Sequence, residues 1–325
     1  MGVEKAPKPR KRLRSKALRT CLGPAAFRRW LETASDDELL SLTFRELAAG
    51  GLSLARAPVA PSLARLRREL GAKRVPLRPY FWVSDEWFCP DGSSGIAVPF
   101  YLVHPRLMAL EARMVGHAEG ELPEEAMAIL RHEAGHAIEN AFDLRRRPDR
   151  IALFGPSDRR YPSSYAPRPH SRKFVRHLAF HYAQSHPDED FAETFAVWLT
   201  PGSRWRERYR HWGAMVKLRW VDRTLRTLRG KRVPGRVGRP YLPLQTIPGT
   251  LREHYARKRR HYRLPGNDAL GRELAALFPR RGKQSVTAHR YFRTIKGRIR
   301  RSLASRAPHP LYRIDHVLAD LESRL

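Results

Sequence analysis

The stretch EEAMAILRHEAGHAIENAFDL, Glu124–Leu144, decides how the rest of the chain is read. Pro123 stands at its start and Glu124 and Glu125 follow, residue types that favour the first turn of an α-helix. In a helix, positions i and i+4 share a face, so His132 and His136 present two imidazoles to one point. Glu133 stands beside that point, placed to act on a bound water rather than to ligate. Three fixed letters in five recur by chance in about 3% of chains of this length, so the motif takes its weight from its surroundings. Unpartnered histidines and a glutamate on a buried face would cost roughly 1–3 kcal/mol each. The competing reading is a half-exposed helix carrying two ordinary histidines.

A catalytic zinc takes three protein ligands and keeps a fourth position open. The extended histidine motif of metzincins requires a glycine and a further histidine at the next helical turns. Glu139 and Phe142 stand there instead. The remaining source is a carboxylate on a second helix. SHPDEDFAETFAVWLTPG, Ser185–Gly202, has Pro187 for a first helical position, acids in the first turn and Pro201-Gly202 as a stop. Glu189 and Glu193 lie four apart on one face of it. Glu189 is placed to ligate, and Glu193 to accept the free N–H of a ligating imidazole and fix its tautomer. The competing reading is a solvated acidic turn that suits the helix dipole. A slipped register offers Asp188, Asp190 or Glu193 as the ligand, and His181 and His186 are close enough in sequence to compete. His104, His117, His170 and His177 have no partner at ligand spacing and read as structural or exposed. Phe191, Phe195 and Trp198 read as core packing.

Upstream, AAFRRWLETASDDELLSLTFRELAAGG reads as one or two short helices stopped at Gly50-Gly51. PSLARLRRELGAK is a further helix with Leu63, Leu66 and Leu70 on one side. PYFWVS and GIAVPFYLV read as strands joined by the turn residues CPDGSSG. Pro99 marks the second as an edge strand, since proline cannot donate to a ladder. The polar segment RRRPDRIALFGPSDRRYPSSYAPRPH is expected to be mostly loop, longer than compact domains usually carry.

The 325 residues carry a formal net charge of +31. Residues 1–20 hold eight Lys/Arg against Glu4, and residues 203–325 hold 32 against eight Asp/Glu, whereas residues 21–202 are neutral. The chain therefore reads as a disordered basic tail (1–20), a central domain (21–202) and a basic, mostly helical C-terminal extension (203–325). In the extension, arginines interleave with Trp205, Tyr209, Trp212, Trp220, Tyr255, Tyr262, Tyr291 and Phe292. Such a pattern admits nucleic acid as a partner, through phosphate neutralisation and base stacking. It equally admits a helical extension whose aromatics pack inward. Cys21 and Cys89 are the only cysteines and form no CxxC pair, which excludes a zinc ribbon and suits a reducing compartment. The start lacks the apolar core of a secretory signal, and no run approaches the ~18 apolar residues of a membrane span. The expected location is cytoplasmic.

HEAGH followed by YAQSHPDEDFAETFA, Tyr182–Ala196, resembles the gluzincin metallopeptidases similar to the catalytic domain of anthrax lethal factor and the Pro-Pro endopeptidases. The stretch YAPRPHSRKFVRHLAFHYAQSHPDEDFAETFAVWL also resembles a bacterial group of zinc-binding metallopeptidases. The likeness covers about residues 75–202. It implies an α+β, zincin-like metallopeptidase domain with a small β-sheet, an edge strand, an active-site helix and a glutamate helix. It further implies one Zn2+ held by His132, His136 and Glu189, with Glu193 supporting a ligand. The expected activity is hydrolysis of peptide bonds in a protein or peptide substrate, with Glu133 as general base. Tyr182, at the tyrosine position of that family, would donate a hydrogen bond to the oxyanion, and the edge strand would pair with extended substrate. The alternative function is a non-catalytic, basic binding protein on the same scaffold, associated with nucleic acid.

Overall fold

The computed structural model describes residues 22–262 apart from 163, 164, 166, 169 and 234–238, together with 290–292, 294–299, 318 and 321. The basic tail expected over 1–20 lies outside the described residues.

The N-terminal stretch forms three helices rather than one or two: α1 (Pro24–Thr33), α2 (Asp36–Leu40) and α3 (Phe44–Ala49). Two capping boxes divide it. Ser35 with Glu38 starts α2, and Thr43 with Glu46 starts α3, each pair exchanging side-chain and backbone hydrogen bonds. Helix α4 (Ala60–Ala72) buries Leu63, Leu66 and Leu70.

Strands β1 (Phe81–Ser84) and β2 (Ile96–Pro99) pair in parallel, with Trp82 opposite Ala97. The chain between them doubles back, so Phe88 bridges Ala97 in the antiparallel sense from the other side. In this two-stranded sheet β2 lies at an edge, with its outer side met at one residue only among the described residues. Every residue of β2 is buried, and Ala97 meets a neighbour on both sides. Pro99 ends the strand and leads into a 3₁₀ turn, Phe100–Val103, before α5 (Pro105–Val115).

The motif helix is α6 (Pro123–Ala141). The polar segment after it is not all loop: Pro148 starts a further helix, α7 (Pro148–Phe154). The acidic motif lies on α8 (Pro187–Leu199). Helices α9 (Trp205–Arg208), α10 (Ala214–Leu228) and α11 (Leu251–Tyr262) follow. Helices with one small sheet match the α+β expectation. No helix among the described residues is long and apolar enough to cross a membrane.

One hydrophobic cluster runs from Phe27 to Tyr255. It takes in Phe191, Phe195 and Trp198 of α8, and Trp205, Tyr209, Trp220 and Tyr255 from the basic part of the chain. Those four aromatics pack inward and offer no face for base stacking.

At the centre α6 lies directly on α8. A Cβ at Gly135 would stand 2.7 Å from the Cα of Ala192 and 3.0 Å from its carbonyl oxygen. Real side chains do not approach backbone so closely, so the glycine in HEAGH is what lets the two helices touch.

Candidate metal centre

Helix α6 supplies two imidazoles and α8 supplies a carboxylate. His132 Nε2 lies 2.9 Å from Glu189 Oε2. His136 Nε2 lies 3.1 Å from His132 Nε2 and 3.3 Å from the same Glu189 oxygen. The three residues thus offer ligand atoms around one point, although 53 residues separate His136 from Glu189.

The hydrogen-bond partners limit what that point accepts. His132 Nδ1 lies 3.1 Å from Glu193 Oε1. A carboxylate accepts, so Nδ1 donates; in the neutral ring the Nε2 lone pair then faces the Glu189 oxygen. Two lone pairs at that distance repel unless a positive charge lies between them. Ligands of a tetrahedral zinc with bonds of about 2.0–2.1 Å stand about 3.3 Å apart, close to the spacings found. The donor set of two imidazoles and a carboxylate is one that zinc takes. The residues present therefore fit a zinc ion.

The same carboxylates draw positive charge to this point, whether it is carried as ring protons or as an ion. Burial disfavours charge on His132, but Glu189 and Glu193 outweigh it and hold the ring well above the ordinary imidazole pKa. His136 is raised in the same way by Glu189, against burial. Burial would lift Glu189, yet the two imidazoles pull it well below the ordinary carboxylate range. The pocket is built to hold positive charge.

Glu133 lines the same cleft, a cavity of about 410 Å³ that also exposes Trp87, Phe88 and Tyr182. Burial raises the Glu133 pKa against both imidazoles and a backbone hydrogen bond from Cys89. A carboxylate so placed is a stronger base than one in water. The segment bordering the cleft is Trp87–Cys89, not β2.

Asp188, Asp190, Glu193 and His186, which compete for the ligand role, are engaged elsewhere. Asp188 pairs with Arg150 at 2.6 Å and accepts from Ser157. Asp190 pairs with Lys217. Glu193 bonds His132 on one oxygen and accepts the backbone N–H of Leu178 at 2.9 Å on the other. His186 caps α8, its Nδ1 accepting from the N–H of Asp188. The acidic first turn is therefore buried and partnered, not solvated. Arg150 is fully buried and joins Glu139 of α6, at 2.7 Å, to Asp188 of α8. This pins the two site helices together behind the ligands. Of the other histidines, His104 caps α5, His117 bonds Glu125 and His177 reaches the carbonyl of Ala128. His170 is exposed.

Tyr182 sits in a 3₁₀ turn, Ala179–Gln184, with its ring centre 5.6 Å from that of His132. Burial, and Glu189 after it, push its hydroxyl pKa up, so the hydroxyl stays protonated as a donor. Sequence reasoning missed Tyr161. Its hydroxyl donates to Glu189 Oε1 at 2.9 Å, and its ring stacks on His186 with centroids 3.7 Å apart. It lies in the aperiodic polar segment, where no spacing rule ties a residue to a site in advance.

Residues 114–204 match the model of a family described as "Putative zinc-binding metallo-peptidase". That span contains α6, α8 and the segment joining them. No curated protein and no solved structure matches the chain. The finer likeness to lethal factor rests on the motif residues alone.

Proposed function

We propose that the chain is a zinc peptidase that hydrolyses peptide bonds in a protein or peptide substrate. The observation that carries this reading is the meeting of His132, His136 and Glu189 around one point, with Glu133 in the same cleft. His132, His136 and Glu189 would hold one zinc ion. Bound there, zinc polarises a scissile carbonyl and brings the pKa of a water towards about 7.

The remaining work belongs to side chains. Glu133 accepts the proton of the attacking water and passes it to the leaving amine. Glu193 keeps His132 in the tautomer that directs Nε2 to the ion. Tyr182, held protonated, donates to the oxygen on which charge develops. Trp87–Cys89 lines the cleft and is the segment against which a substrate backbone would lie.

Zinc content and cleavage of a peptide mixture, measured for wild type and Glu133→Gln, test the reading. The wild type is expected to hold about one zinc and to cleave. The variant is expected to hold the same zinc and to lose activity on the order of 100-fold or more. Equal cleavage by both removes Glu133 from the reaction. Wild-type protein with no zinc and no cleavage leaves the binding-protein alternative.

A further inference from the structure

Helix α8 carries Glu189 near its first turn and ends at Leu199. At a rise of about 1.5 Å per residue, that end lies about 15 Å from the metal ligands. Two adjoining cavities open there, of about 460 and 450 Å³, with Lys73 and Pro201 in the walls of both. Arg65 and Arg68 line the first and Arg204 and Arg206 the second.

Arg65, Arg204 and Arg206 have carboxylate partners, whereas Arg68 and Lys73 have no ion pair among the described residues. Glu69 is shared by Arg65 and Arg131, Glu124 also pairs with Arg65, and Glu207 is taken by Arg204. Lys73 feels the charge of Asp222, but Asp222 already accepts from the Trp198 indole and pairs with Arg206 and Arg226. Lys73 itself forms no ion pair among the described residues. Its ammonium rests 4.8 Å above the Trp198 ring, half-buried, with Arg206, Arg226 and Arg229 close enough to act on it. Burial, and then those like charges against Asp222, lower its pKa. The C-termini of α4 and α8 meet the groove and each favours a cation, but five lining cations exceed that need.

We propose that this groove binds the phosphodiester backbone of a nucleic acid, independently of the metal centre. Arginine, which dominates the wall, matches phosphate oxygens with two parallel donors. Arg65 and Lys73 lie eight residues apart on α4, about 12 Å, which spans about three phosphates of a duplex strand. Trp198 and Trp205 are buried beneath the groove, so bases find no stacking surface in it. Binding is therefore electrostatic and indifferent to sequence.

The test is fluorescence anisotropy of a labelled DNA duplex titrated with the full chain over a range of salt. Arg68→Glu/Lys73→Glu/Arg229→Glu removes three cations that hold no ion pair among the described residues. Arg29→Glu/Arg45→Glu/Arg259→Glu makes the same charge change at exposed positions outside the groove. The groove variant is expected to bind on the order of 100-fold more weakly at about 0.1 M salt, with the slope of log K against log salt smaller by about 3. The outer variant is expected to keep the wild-type slope to within about 1. Thermal unfolding checks that each variant is folded. If the glutamate variant is not, the glutamine version of the same three sites decides by the same slope. Equal losses in the groove and outer variants overturn the proposal, as does a wild type that ignores duplex. Binding of polyglutamate as tight as that of DNA also overturns it, since the groove then selects charge and not phosphate.

Discussion

The Tyr161 hydroxyl donates to Glu189 Oε1 at 2.9 Å, while the other oxygen of that carboxylate faces His132 and His136. The two oxygens are thereby given different tasks: one is anchored by the protein and one is left for the ion. Tyr161→Phe removes the anchor and keeps the ring stack on His186. Zinc affinity, measured by competition with a chromophoric chelator, is expected to fall about 10-fold or more, with little change in melting temperature. Unchanged affinity would show that Glu189 holds its place without the tyrosine.

Glu193 acts on the other side, through His132 Nδ1. Glu193→Gln keeps the shape and removes the charge. The same competition assay is expected to show a loss of about 10- to 100-fold. Because Glu193 touches no ligand position itself, a loss larger than that of Glu189→Gln would assign it a different role, as a ligand in its own right.

Gly135 tests the packing beneath the site. Alanine is favoured over glycine in a helix by about 1 kcal/mol, but here its Cβ meets the backbone of Ala192, which cannot swing away like a side chain. Overpacking of this kind costs about 1–3 kcal/mol, so Gly135→Ala is expected to be net destabilising by up to about 2 kcal/mol in denaturant unfolding. The displaced α8 also carries Glu189, so zinc affinity falls with stability. A more stable variant would mean that the helices have room to part.

His254 lies on α11 with its ring edge against Phe44 and Phe100 and its Nε2 without a hydrogen-bond partner. Burial, then Lys258 and Arg257, depress its pKa to about 3. The unfolded ring takes up a proton near pH 6.5 while the folded ring does not. Its contribution to stability is thus full above about pH 6.5 and is lost as pH falls towards 3, by about 1.4 kcal/mol per unit. Glu86 and Glu139, both raised to about 7 by burial, work in the opposite sense as pH falls from 7. Comparing wild type with His254→Phe cancels them. The stability of the wild type relative to the variant is expected to drop by that slope between pH 6 and 4; a constant difference rules out the buried neutral ring.

Much of the centre was legible because helices impose a period. His132 and His136 share a face by spacing alone, and Glu189 and Glu193 do the same on α8. Which acid of the DEDFAE stretch meets the imidazoles was open in the sequence, since a slip of one residue changes the answer. Arg150 and Lys217 fix it by taking Asp188 and Asp190. Both lie outside the motif and are paired with it only by tertiary packing. The course of the sheet was not legible. The two strands are neighbours, as a short connection suggests, but they run parallel, and the returning chain places Phe88 on the far side of β2. The division of the N-terminal stretch was legible in principle, because Ser35 with Glu38 and Thr43 with Glu46 are written as capping boxes.

The chain from His136 to Glu189, 53 positions further on, closes into a loop when both grip one ion. A cross-link of that span removes freedom from the unfolded chain on the order of 4 kcal/mol, much as a disulfide does. On the proposed reading, the polypeptide that would position zinc for chemistry would in turn be stapled by it, so chelation should loosen the whole α6–α8 pair and not merely silence a reaction.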